Sequence, residues 1–186
     1  MKRVEWSLLR RAQLLRALHL DFEIEVNERL TMDEDPILIL GIGNYLMGDE
    51  GVGVHAIRQL EQLSFPAHVH LLDGGTGGFH LISYLESYRF IIMIDATMDG
   101  NPPGTLRIIK PRFATDFPRS LTAHDIGLRD LVESLALLGR LPQITLITVS
   151  VEDIQSMSTD LSPLVHASLP KIADTVFKIL GAREAQ

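Results

Sequence analysis

The chain has 186 residues, 46% hydrophobic and 22% charged, which fits one core with an appendage rather than two full domains. No segment reaches the roughly 18 consecutive apolar residues of a membrane span, and a formal net charge of −7 has the wrong sign for a general nucleic-acid surface. Without cysteine there is no disulfide framework, thiolate metal site or cysteine nucleophile, and a cytoplasmic location is expected.

The chain opens on Lys2, Arg3, Arg10, Arg11 and Arg16, while Leu8, Ala12, Leu15, Leu18 and Phe22 recur at helical spacing, which predicts an amphipathic helix. This stretch lacks the serine richness of a transit peptide and turns acidic at Asp21, Glu23, Glu25 and Glu28. Residues 1–31 hold 6 basic and 5 acidic groups, so the remaining 11 and 19 leave the rest of the chain at −8. Met32 stands just before Asp33-Glu34-Asp35-Pro36 and the first convincing strand. Residues 1–35 are therefore expected to be an N-terminal helical extension and 36–186 a single α/β domain.

From Pro36 onward, short β-rich apolar runs alternate with helical patterns, which is the signature of a parallel sheet covered by helices. Strands are expected over residues 37–41, 69–72, 90–94, 105–109 and 144–149. Helices are expected over 52–63, 79–85, 128–138 and 164–180. Asn101-Pro102-Pro103-Gly104 forces a turn before the fourth strand, and the short connection predicts one antiparallel neighbour in an otherwise parallel sheet. The apolar positions Leu161, Leu164, Val165, Leu169, Ile172, Val176 and Ile179 form a helical face expected to cover the sheet, so a monomer is expected.

In open α/β sheets the ligand site lies beyond the carboxyl ends of the strands. The first strand runs into Gly41-Ile42-Gly43-Asn44 and on to Asp49-Glu50-Gly51-Val52-Gly53, the second ends in Asp73-Gly74-Gly75-Thr76, and the third in Asp95. Parallel strands gather Glu50, Asp73 and Asp95 on one rim, where repelling carboxylates need a counter-charge. His124 precedes a helical pattern that Asp125 is placed to cap; amide dipoles at a helix start disfavour imidazolium and keep a lone pair for a metal. Glu, Asp and His together form an oxygen and nitrogen site suited to divalent nickel, zinc, cobalt or iron.

Each residue also has a plainer reading. Asp49 reads as a helix N-cap, Glu50 as a first-turn acid favoured by the helix dipole, and Asp73 before two glycines as an Asx-turn. Asp95 is harder to dismiss, because it follows the buried run Ile91-Ile92-Met93-Ile94, where an unpaired carboxylate is costly. His55, His68, His70, His80 and His166 lack comparable loop context and read as surface or satisfied structural residues.

Taken in order, Gly41-Ile42-Gly43-Asn44, Asp49-Glu50, Asp73-Gly74-Gly75-Thr76, Asp95-Ala96 and His124-Asp125 resemble the nickel-iron hydrogenase maturation protease family over about residues 36–180. The resemblance implies a three-layer α/β fold: a mostly parallel, twisted five-stranded sheet with helices on both faces. It implies a peptidase that removes a short C-terminal peptide from the nickel-loaded precursor of a hydrogenase large subunit. Nickel is then the recognition element, supplied by the substrate, and no nucleotide cofactor is expected. The family's metal-contacting glutamate, aspartate and histidine map onto Glu50, Asp95 and His124. Asp73 matches its acidic Asp-Gly-Gly-Thr residue, and a carboxylate of Asp73 or Asp95 is the candidate to activate water. Gly41, Gly43, Asn44, Gly74, Gly75 and Thr76 are assigned to substrate positioning. The departure from the family is the extension over residues 1–35.

Two other readings use the same residues. Leu72-Asp73-Gly74-Gly75-Thr76-Gly77-Gly78 is similar to the acidic glycine loop of S-adenosylmethionine-dependent methyltransferases, but that reading leaves the first strand's loop and His124 without a task. A non-catalytic nickel-checkpoint or chaperone protein for the precursor would use the same three ligands.

Overall fold

The computed structural model describes residues 35–111, 132–133, 135–137, 139, 141–152 and 157–184. Pro36–Gln186 form one unit of mutual contacts. The sequence expectations for residues 1–34, and for His124 and Asp125, lie outside the described residues.

The described strands are β1 (Ile37–Gly41), β2 (Val69–Asp73), β3 (Phe90–Thr97), β4 (Leu106–Ile109) and β5 (Gln143–Ser150), in the order β2-β1-β3-β5-β4. The first, second, third and fifth run parallel, and β4 is antiparallel to β5. Burial explains the order. β1 and β3 are apolar runs hidden almost throughout and β5 is buried after Gln143, as strands covered on both faces require, whereas β2 and β4 are partly exposed and take the edges. The antiparallel strand expected after the Asn-Pro-Pro-Gly turn is therefore present, with β5 inserted between β3 and β4.

The helices are α1 (Val52–Leu60), α2 (Ile82–Ser87), α3 (Pro163–His166) and α4 (Leu169–Glu184), and residues 132–133 and 135–137 are also helical. One layer packs Val52, Ala56, Ile57 and Leu60 of α1 and Ile172 and Val176 of α4 on Ile39, Ile92, Ile94 and Ile147 of the sheet. The opposite layer packs Leu85, Val132 and Leu135 on Leu38, Leu40, Met93 and Leu146. Alternation of side chains along each strand feeds both cores, which makes the three-layer α/β architecture.

Two helices are shorter than their patterns predict. α1 closes at Leu60, because Gln62 and Leu63 bond back to Gln59 and Leu60 in tighter three-residue turns and leave Leu63 exposed. The expected helix over 164–180 is two helices. Pro170 has no N–H to continue the ladder; the Ser168 N–H and hydroxyl both bond to the Val165 carbonyl, and α4 restarts with Ile172 bonding to Ser168.

Candidate functional site

The strand order places the topological switch between β1 and β3: the chain leaving β1 goes through α1 to β2 on one side, while β3 leads to the half formed by β5 and β4. The carboxyl ends of these two strands therefore frame the crevice. Gly41 is in register with Asp73 on one side and Ile94 on the other, so the three rim segments end at one height.

Glycine is required where backbones meet. A Cβ on Gly41 would collide with the carbonyl of Gly53 and one on Gly53 with the carbonyls of Ile42 and Ile94, so the first turn of α1 lies directly against the ends of β1 and β3. Gly43, at φ 141°, presses on the Glu50 carbonyl, folding the loop back on itself. Ile42 donates to the Ile94 carbonyl at 2.9 Å, Gly74 to Gly41 at 2.8 Å and Gly43 to Gly75 at 2.7 Å, which stitches the three rim segments together. Asn44 turns the loop by accepting the Leu46 N–H at 3.0 Å. Thr76, in the turn after β2, is half-buried.

Glu50 sits in a 3-10 turn, Gly48–Gly51, that packs against β3 and leads into α1. The residue is half-buried beside the end of the strand that carries Asp95. Its neighbour Asp49 is only 2% exposed and does not cap the helix it precedes; neither the turn nor α1 has a side-chain cap. Instead, Asp49 Oδ1 accepts the backbone N–H of Ser162, 113 residues away, at 2.6 Å. With the Met47–Ser158 bridge, this ties the Glu50 turn to the segment entering α3. The N-cap reading is thus corrected by a partner that sequence spacing cannot reveal.

Asp95 lies within β3 rather than just past it, because the strand continues to Thr97 along β5. Asp95 is half-buried, and its Oδ1 accepts the Ala96 N–H at 2.8 Å. Across the ladder stands Thr148, whose buried hydroxyl has no hydrogen-bond partner among the described residues. Alternation puts Asp95 and Thr148 on the face of Met93 and Leu146, so both polar groups end an otherwise apolar layer.

Asp73 is exposed and its Oδ1 accepts the Gly75 N–H at 2.9 Å, the Asx-turn that its sequence context allows. It follows Val69 and Leu71 on the α1 face, whereas Asp95 belongs to the opposite face, with β1 between them. Their strands are about 10 Å apart. The structure brings the Glu50 turn to the Asp95 strand and holds Asp73 one strand further out. Among the described residues no three His, Cys, Asp or Glu side chains gather as a metal-binding group.

Sequence reading missed the packing around His55. Its ring lies 5.0 Å from that of Tyr45 in the glycine loop, and the Arg58 guanidinium stands 3.8 Å from the Tyr45 ring centre. Burial, then the neighbouring Arg58 charge, holds the imidazole below its ordinary pKa, against the Thr159 backbone bond, which pulls the other way. His55 thus enters as a neutral, apolar support for the loop; the His70–Tyr88 bond joins the starts of β2 and β3, and Phe65 of the Phe65-Phe177 stack precedes β2, at the end of the strands opposite the rim.

The hydrogenase maturation protease family model (HycI) matches residues 54–179. Hydrogenase expression/formation protein HupD of Bradyrhizobium diazoefficiens is 33% identical over 80% of this chain and 79% of its own. Hydrogenase 2 maturation protease of Escherichia coli K12 is 33% identical over 77% of this chain and 90% of its own. Among solved structures, the hydrogenase-maturating endopeptidase HybD from E. coli aligns with a TM-score of 0.73 at 33% identity, covering 81% of this chain and 93% of that one. The [NiFe] hydrogenase maturation protease HybD from Thermococcus kodakarensis aligns at 0.63 and 28% identity, covering 77% and 98%.

Proposed function

Since this chain belongs to the hydrogenase maturation protease family and is an endopeptidase, we propose that it removes a short C-terminal peptide from the nickel-loaded precursor of a nickel-iron hydrogenase large subunit. The observation that carries this reading is the Glu50 turn packed on the strand that bears Asp95, at the β1–β3 switch of the strand order. In this reading nickel belongs to the substrate, and Glu50, Asp95 and His124 recognise it. Contact with a metal at a fixed distance from the scissile bond turns an encounter into an oriented reaction.

The chemistry proposed is carboxylate-assisted hydrolysis. Asp95 or Asp73 takes a proton from water as the oxygen adds to the scissile carbonyl carbon, and the proton passes to the leaving nitrogen as the C–N bond breaks. The Asp73 Asx-turn makes that assignment testable, because Asp73→Asn keeps an oxygen able to accept the Gly75 N–H and removes only the base.

The deciding experiment is the intact mass of the precursor, nickel-loaded or nickel-free, after incubation with this protein or its Glu50→Gln, Asp73→Asn or His124→Ala variant. Loss of a short C-terminal peptide only from nickel-loaded precursor, and its absence with Glu50→Gln and His124→Ala, is the expected outcome. Equal cleavage of nickel-free precursor would remove nickel from recognition. Cleavage at the normal rate by Asp73→Asn would leave Asp95 as the base.

A further inference from the structure

Away from the switch crevice, β4 and α4 enclose a groove that this chemistry does not use. Two adjoining cavities of about 590 and 470 Å3 share Thr175 and Lys178. The first opens beside Gly104 and Leu106, and the second beside Ile108, Lys110 and the starts of β3 and β5 at Phe90 and Gln143. Together they follow the whole length of β4.

Alternation places Leu106, Ile108 and Lys110 on the α4 side of β4, since Leu106 packs with the core on that side and Ile109 with the opposite one. Ile108 is 54% exposed, although its neighbours in β5 are buried. On the facing helix, Lys171, Asp174, Lys178 and Ala182 recur at helical spacing along the groove.

The groove inverts the charge of a chain that totals −7. The cavity beside Lys110 is lined by Lys110, Lys178 and Arg183 and, among the described residues, by no carboxylate, with Phe90, Ile108 and Ile179 as apolar wall. Arg183 is pre-positioned, stacked 4.4 Å from the Phe90 ring centre with its Nη1 3.4 Å from Gln143 Oε1. Lys110 and Lys178 have no carboxylate partner among the described residues.

Beside this wall β4 forms the edge of the sheet among the described residues. β4 pairs only with β5 among the described residues, and an antiparallel ladder uses the backbone groups of every second residue, so the other N–H and C=O groups point outward. We propose that β4 and this groove bind an extended segment of a partner protein, with alternating acidic and apolar residues, as an added strand. The edge supplies main-chain pairing, about 4.8 Å out from β4. Every second side chain then faces α4, where the carboxylates meet Lys110, Lys171 and Lys178 and their methylenes lie along Ile108 and Ile179, while the apolar residues between them fall on the opposite face, that of Ile109. This inference is independent of the cleavage chemistry.

The test titrates 15N-labelled full-length protein with a blocked peptide of four Glu-Val repeats, with affinity read by anisotropy of a fluorescein-labelled copy. The amides of β4 and of residues 175–183 are expected to shift. A Lys-Val peptide and the Lys178→Glu variant should each weaken binding about tenfold or more. Of two peptides N-methylated on all Glu or on all Val residues, one should lose binding, because a strand presents alternate amides to each edge. Lys178 and Lys110 are both exposed, so Lys110→Glu gives an independent second variant with little risk to the fold. The proposal is overturned if no β4 amide shifts at about 1 mM peptide, or if charge reversal at either lysine leaves affinity unchanged. It is equally overturned if both N-methylated peptides bind like the parent, which would mean simple anion capture by the cavity.

Discussion

Asp49 links the stability of the domain to the position of Glu50. The carboxylate is 2% exposed and accepts the Ser162 N–H at 2.6 Å, a bond between a charged acceptor and a backbone donor. Such bonds contribute about 1.5–3 kcal/mol, and losing the acceptor leaves a part-buried N–H to be desolvated unpaired. Asp49→Ala is therefore expected to cost about 2–3 kcal/mol. For a domain of this size that lowers Tm by about 5–10 °C. Asp49→Asn retains an oxygen in the same place and loses only the charge assistance, so its cost should be about 1 kcal/mol, or about 2–4 °C. Both variants are then assayed for precursor cleavage well below their Tm. Because Asp49 and Glu50 share one 3-10 turn, Asp49→Ala should cleave more slowly than its folded fraction accounts for, with activity largely restored in Asp49→Asn. A Tm for Asp49→Ala within about 1 °C of the parent, or equal damage by the two variants, would refute the idea that this bond holds the turn.

Gly53→Ala drives a methyl group into two backbone carbonyls that cannot rotate away, and is expected to cost about 3 kcal/mol, read as a fall in Tm. Gly181→Ala, in α4 with open space around it, should instead gain about 0.5–1 kcal/mol; the reverse ranking of the two would sink the backbone-contact argument. Partial burial pushes the Asp99 carboxyl up, but bonds from Ser150, Asn101 and Arg107 outweigh it and hold the pKa at about 2. A folded pKa below the unfolded value contributes stability that is present above about 3.8 and lost as pH falls through about 2. Urea midpoints measured between pH 5 and 2 should therefore fall less steeply in Asp99→Asn than in the parent, by up to about 2 kcal/mol, since Arg107 is more than half exposed and screened. His55 is likewise depressed, so the unfolded chain takes a proton near pH 6.5 that the folded state refuses, and stability declines as pH drops from there. His55→Gln should flatten that decline; identical midpoint shifts between about pH 7.5 and 5.5 in both proteins would show that His55 does not cause it.

Local pattern and tertiary context divide at identifiable residues. β1 is an unbroken apolar run between Pro36 and a glycine, and its expected bounds match the structure because both ends are marked by residues that change the backbone. β3 runs three residues further than its apolar core, since the polar Asp95 and Thr97 are carried by pairing with Thr148 and Ser150 of β5. Nothing near Asp95 in the chain announces that partner. The single pattern over 164–180 hides a break that Pro170 does mark, two residues into the second helix.

The rim residues themselves were legible for a chemical reason: carboxylates and glycines immediately after apolar strands serve little purpose in a core and have few alternatives to a turn or a site. Sequence alone placed Gly41, Gly43, Glu50, Asp73 and Asp95 at or beyond the carboxyl-terminal parts of strands, and the order of those segments carried the family resemblance. Only the tertiary structure decided which strands are neighbours, that Asp73 and Asp95 leave opposite faces, and that Asp49 reaches Ser162. The difference is one of range. Periodicity and turn chemistry act over a few residues, whereas strand order and a hydrogen bond spanning 113 residues are chosen by how all the apolar faces can be buried at once.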